Sequence, residues 1–384
     1  MTEATEPIRT ERLLGRRGFL GAAAGAVPAV LGPAGAAGAT GATGGTAEPT
    51  GAAPAHGAVA RMLAVPGEQR DLPWIQDALQ MALALELATI PPYLCGWWSV
   101  RDRSSAPARL IQEIVHDEMF HMALVCNMLV AVGGRPRVVE AAMAYPSRLP
   151  GGVRQDLTVY LGGLSRDSVR DVMMGIERPE KPLTRAAGAP SIGAFYTALT
   201  AAFEDVNPPL STDGQLRQRI GADLLEPVGR LSDVARAVET IREQGEGTAA
   251  SPDSAVGRSM LGHYYAFGEI YNERLLRQVD GAWEFSGDAL PFPDVRPMAV
   301  VPAGGWPSPA RAVRRLLDQC DAHYTTVLTE LEAAWDGGGH RALGRAIGAM
   351  RSLERPATRL MDIPVPGTEQ TYGPQFRPVP PGGS

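Results

Sequence analysis

The sequence predicts an all-α fold: a four-helix bundle with long loops and an additional C-terminal helical pair. Two observations carry that expectation. Apolar residues return every three to four positions through several long segments, and glycine and proline gather mostly between those segments.

Residues 74–100 read as the first long helix, with Ile75, Leu79, Leu83, Ile90 and Trp97 returning to one face and Glu86 in the middle of that stripe. Pro91-Pro92 predicts a kink just past Glu86, because Pro91 lacks a backbone donor and its ring crowds the preceding turn. A second helix over 106–132 stops at Gly133-Gly134, with Pro136 beyond, so the two make an antiparallel hairpin. Residues 135–190 carry the turn signals Tyr145-Pro146, Pro150-Gly151-Gly152 and Lys181-Pro182. They read as a long loop region capping the bundle, with a short extended piece at 157–161. Helical pattern resumes over 191–206, 215–225, 231–244 and 256–279. A Pro-rich connector, 291–309, leads to two further helices over 310–335 and 341–361, and the tail from Pro364 reads as loop.

With 384 residues the chain suits one main domain with appendages, since single cores stop growing at about 250–300 residues. A hydrophobic share of 45% with 20% charged residues is that of a folded soluble protein. The formal net charge of -6 supplies no basic field for nucleic acid. Cys95, Cys126 and Cys320 lie far apart without a CxxC spacing, which suggests buried thiols rather than a zinc site or a disulfide framework.

Near the N-terminus, Arg16-Arg17-Gly18-Phe19-Leu20 precedes an Ala/Gly-rich apolar run too short to span a bilayer. The pattern resembles a twin-arginine export signal, with a small-residue cleavage site between Ala34 and Ala39. The expected organisation is a signal over 1–40, a Gly/Ala/Thr linker over 41–60, the helical bundle over 61–283, and a connector, helical pair and tail over 284–384 packing on it. The mature chain is expected to be exported and to keep no stable membrane span. The sequence leaves its oligomeric state open.

The pattern Glu-x-x-His occurs twice in the second helix, at Glu113/His116 and Glu118/His121. Five residues rotate a helix by about 140°, so the two copies cannot share a face. Ile111, Ile114, Val115, Met122, Val125 and Leu129 define the apolar stripe, with Glu118 at its centre and His121 on its flank, which leaves Glu113 and His116 as a surface pair. Burying an unpaired carboxylate costs several kcal/mol, so Glu86 and Glu118 each require a partner. Two glutamates on facing helices, one with His at i+3, make half of a carboxylate-bridged dinuclear iron or manganese site; carboxylate and imidazole ligands suit those metals. The competing reading pairs the glutamates with a buried arginine or with water in a polar seam.

The stretch Leu85-Glu86-Leu87-Ala88-Thr89-Ile90-Pro91-Pro92-Tyr93-Leu94, then Glu118-Met119-Phe120-His121, then Asn127 and Gly133-Gly134-Arg135-Pro136, resembles the ferritin-like family that includes iminophenyl-pyruvate dimer synthases. A looser likeness extends through Phe195-Tyr196, Gly245-Glu246-Gly247 and His263-Tyr264-Tyr265-Ala266-Phe267. The resemblance implies a ferritin-like bundle with a non-haem metal centre and gives ligand roles to Glu86, Glu118 and His121. Its pattern calls for a further glutamate and a second Glu-x-x-His, but Met260 stands three residues before His263. His263 shares an apolar face with Phe267 and Ile270, and Glu246 sits between two glycines at a helix end; these are the candidates for the missing ligands, while Glu269 and Glu273 point elsewhere.

The leading functional expectation is a non-haem iron or manganese oxidoreductase, mono- or dinuclear, acting on a small organic molecule, with specialised metabolism as its setting. The rival is an exported, non-catalytic metal-binding or interaction protein on a degenerate scaffold of the same kind.

Overall fold

Burial of the polar backbone drives the apolar segments into helices that pack side by side, and the two longest form the centre. The computed structural model describes residues 57–179, 191–245 and 261–379. The signal and nearly all of the linker expected at the N-terminus lie outside those residues, as does Glu246.

Helix α1 spans Ala58–Ala64, α2 spans Leu72–Ser99 and α3 spans Ala106–Ala131. Asp71 caps α2 by accepting from Trp74 N at 3.0 Å. Helix α3 ends at Gly133, whose φ of 72° lets Gly134 N reach back to Leu129 O at 2.8 Å. Twenty of the 28 residues of α2 are buried, so it is surrounded by protein rather than half-solvated. Both long helices are apolar enough to cross a bilayer, yet 83% of the most apolar stretch of each is buried inside the protein, which identifies them as core helices. Helix α2 continues through Pro91 and Pro92, and the Ala88 carbonyl that Pro92 leaves without its usual donor accepts the Tyr145 hydroxyl at 2.8 Å.

Residues 135–190, expected to be loop, contain a short α4 at Val138–Ala141 and a helical segment built from α5 (Arg166–Ser168), a π-helical turn (Val169–Met173) and α6 (Met174–Glu177). Ser165 and Ser168 close a reciprocal cap at its start. Helix α7 spans Ile192–Val206 and α8 spans Leu231–Gly245.

Two helical expectations fail here. Residues 215–225 form a hairpin, β1 (Gln218–Ile220) against β2 (Asp223–Leu225), because Gly221 takes a φ of 57° that turns the chain back on itself. Among the described residues, the segment expected to be helical over 256–279 is helix only at α9, His263–Asn272, and then forms the hairpin β3 (Arg277–Val279) and β4 (Ala282–Glu284) across Asp280-Gly281, with φ values of 49° and 85°. Asp-Gly with both residues left-handed is the favoured two-residue hairpin turn.

Helices α10 (Arg311–Ala333) and α11 (Gly339–Leu360) pack on each other and against the α2–α3 hairpin. Asn127 ties these parts together from inside the core. It donates to Leu216 O at 2.8 Å, accepts from Leu216 N at 3.0 Å, and accepts from the Trp335 indole at 2.9 Å. Asn127→Ala strands those groups in an apolar interior, so chemical denaturation is expected to show a loss of roughly 2–4 kcal/mol of unfolding free energy. A loss under about 0.5 kcal/mol, the scatter of ordinary surface substitutions, would contradict this role.

Candidate metal centre

Three glutamates and two histidines meet inside the bundle. Glu86 comes from α2, Glu118 and His121 from α3, Glu177 from the end of α6, and His263 from the start of α9. None is more than 7% exposed. They form two triads, Glu86–Glu118–His121 and Glu118–Glu177–His263, in each of which one ligating atom per residue lies within 4.8 Å of the others. Glu118 belongs to both.

The histidine rings are oriented by their outer nitrogens. His121 Nε2 lies 2.6 Å from Gln244 Oε1, and its Nδ1 faces Glu86 Oε2 at 3.6 Å and Glu118 Oε1 at 3.9 Å. His263 Nε2 faces Asp117 Oδ2 at 3.5 Å, and its Nδ1 lies 2.8 Å from Glu118 Oε1 and 3.8 Å from Glu177 Oε1. The two rings stack with centroids 5.8 Å apart. A carboxylate or amide behind each imidazole is the arrangement that fixes metal-ligating histidines.

The glutamates are held as firmly. Tyr196 donates to Glu86 Oε1 and Tyr93 to Glu177 Oε1, each at 2.5 Å. The Thr89 hydroxyl lies 2.8 Å from Glu118 Oε2 and from Glu86 O. A hydroxyl proton thus fixes one oxygen of each glutamate and leaves the other for the interior.

With Asp117, itself buried, four carboxylates share this space. No lysine or arginine pairs with Glu86, Glu118 or Glu177 among the described residues. Burial and the neighbouring Glu177 charge push Glu118 up to about 7. Burial alone would lower His121, but Glu86 and Glu118 outweigh it and raise it to about 9. His263 is likewise raised well above its usual range, burial being overcome by Asp117, Glu118 and Glu177. Without a metal ion the cluster therefore gathers protons to offset its negative charge. His263 Nδ1 is buried among carboxylate oxygens, 2.8 Å from Glu118 Oε1 and 3.8 Å from Glu177 Oε1. A ring nitrogen and carboxylates converging on one dry space fit a cation, and the group can hold a metal ion.

Of the residues singled out in the sequence, Glu86, Glu118, His121 and His263 are brought together, while Glu246 falls just past the last described residue of α8. Glu113 is exposed and His116 half-buried, away from the cluster. Glu269 is buried but accepts from Leu276 N at 2.7 Å, outside both triads. The sequence reading misses Glu177 and Asp117. A signal for Glu177 exists: Val169, Val172, Met173 and Ile176 recur at helical spacing after a serine cap. Glu177 continues that series, four residues after Met173.

A cleft of about 50 Å³ touches the cluster, lined by Leu85, Leu149, Ile176, Ile192 and Ile241, with Arg242 at its edge. It takes a water or a diatomic molecule without rearrangement.

The family model for ferritin-like proteins matches residues 79–272, a span that includes all five residues of the two triads. A solved structure described as a ferritin-like protein from Caulobacter vibrioides is similar over 78% of this chain and 98% of its own, with a TM-score of 0.54 and 23% identity. A search of curated proteins finds no match. The helical fold, the cluster at its centre and the extent of the match place this chain in the ferritin-like family.

Proposed function

We propose that the chain is a non-haem metal-dependent oxidoreductase with a dinuclear centre of iron or manganese that acts with dioxygen on a small organic molecule. The observation that carries the reading is Glu118, which is common to both triads and would serve as a ligand in either. Glu86 and His121 would complete one ion's protein ligands, and Glu177 and His263 the other's. Four buried carboxylates match the charge of two divalent ions, and oxygen and nitrogen ligands suit iron or manganese. Bound redox-active ions would supply the electrons and the open coordination positions that dioxygen chemistry needs.

The protein's own contribution is positioning. Gln244 and Asp117 would hold the Nε2 protons of His121 and His263, which turns each Nδ1 toward the carboxylates. Tyr93 and Tyr196 hold hydroxyl protons at Glu177 Oε1 and Glu86 Oε1, beside the space where the ions would sit. Leu85, Leu149, Ile176 and Ile241 exclude bulk water. The likeness to iminophenyl-pyruvate dimer synthases supports an organic substrate, and the paired Arg16-Arg17 supports export by a route that carries folded, metal-loaded chains. The narrow cleft favours a second reading, a buried metal centre without turnover of an organic substrate.

Anaerobic loading with Fe(II) is expected to give about two ions per chain, falling to about one in Glu177→Ala or His263→Ala and below one in Glu118→Ala, by elemental analysis. Oxygen consumption by the loaded protein supports the oxidoreductase; two tightly held ions with no oxygen uptake would leave the second reading.

Protons and metal compete for the cluster, which fixes a pH dependence. The folded values of Glu118, about 7, and His121, about 9, lie above their ordinary 4.5 and 6.5. Their protonation stabilises the metal-free fold fully below those ordinary values, and the benefit is lost as pH rises through about 7 and 9. Metal binding is released from that competition over the same window. The rise in Tm caused by Mn(II) is therefore expected to grow from pH 6 toward pH 9; a rise that stays constant or shrinks would contradict the assignment.

A further inference from the structure

A second, larger cavity lies on another side of the α2–α3 hairpin. It encloses about 430 Å³ between α2, α3, the β1–β2 hairpin and the α10–α11 pair. None of its lining residues lines the cleft at the metal cluster, so the two are separate. Its body is apolar, formed by such residues as Ile90, Leu94, Met119, Met122, Val327 and Leu331.

Besides His116, Gln218, the Tyr324 hydroxyl and one acid, its polar groups are donors and cations. The indole N–H groups of Trp97 and Trp98, both wall residues, are buried without an acceptor among the described residues. Trp98 is 2% exposed and stacks on Phe376, also in the wall. Buried donors left without acceptors are costly, and an acceptor supplied from outside the chain relieves that cost. Arg219 and Arg351, both exposed, stand at the lining with no carboxylate partner among the described residues. Glu354, the single acid of the lining, is already engaged by Arg103 at 3.3 Å. The cavity therefore offers apolar volume, hydrogen-bond donors and unneutralised cations, in the size range of small-molecule sites.

We propose that this cavity is a binding site for a small amphipathic carboxylate, its apolar body packed between α2–α3 and α10–α11 and its anionic end met by Arg351 and Arg219. The site is independent of the metal centre. Its cations separate it from a pocket for neutral hydrocarbon, and its donors separate it from a simple packing defect.

Calorimetric titration of the full chain with dodecanoate, and separately with dodecanol, tests this. Saturable binding of dodecanoate at one site is expected, with dodecanol weaker by about tenfold, the worth of one charge pair near a protein surface. Arg351→Ala, an exposed substitution that spares the fold, is expected to remove most of that difference. Leu94→Trp and Val327→Phe, which fill the cavity from two sides, are each expected to abolish binding while Tm and metal content stay near the parent values. The proposal is overturned by the absence of saturable dodecanoate binding, by binding that survives a folded filled variant, or by equal affinity for the alcohol with no effect of Arg351→Ala. If one filled variant fails to fold, the other and Arg351→Ala still decide the matter.

Discussion

Four carboxylates confined in the same dry interior are the constraint around which this protein is organised. Glu86, Asp117, Glu118 and Glu177 are all buried, with two imidazoles and no arginine or lysine among the described residues to offset Glu86, Glu118 or Glu177. Ionised together they would repel one another strongly in a medium of low dielectric. Protons or metal ions must therefore share the space, and the raised values of Glu118 and His121 are the protonated side of that balance.

The surrounding fold keeps these groups in place. Helices α2 and α3 carry the two glutamates that face each other, and their ends are fixed by Asp71 and Gly133. Hydroxyls of Thr89, Tyr93 and Tyr196 take up one oxygen of each glutamate, so the carboxylates cannot relieve their repulsion by turning away. Gln244 and Asp117 hold the imidazoles from behind. Such a cluster stores a preference for cations in its geometry, at a cost to stability that the packed α2–α3 hairpin, secured through Asn127 to α11's neighbour Trp335, has to offset.

Much of this is legible in the chain itself. Glu86 and Glu118 announce themselves because each interrupts an apolar stripe of a long helix, where a charge has to be explained, and His121 follows at the spacing that puts it one turn away. His263 is readable as inward for the same reason. Glu177 is harder, since its helical segment is short and lies among turn signals. The two hairpins are hidden by apolar residues that fit a helical period, although Asp280-Gly281 and Gly221 are turn residues whose backbone a helix cannot use. Local turn chemistry prevails over periodicity in both places.

Anomalous diffraction from crystals grown with Mn(II) or Fe(II) tests the central claim most directly. Two peaks about 3.5–4 Å apart, with a Glu118 oxygen bound to each, are the expected result. A cluster that admits no metal, or a single ion that leaves Glu118 unbound, would contradict the account.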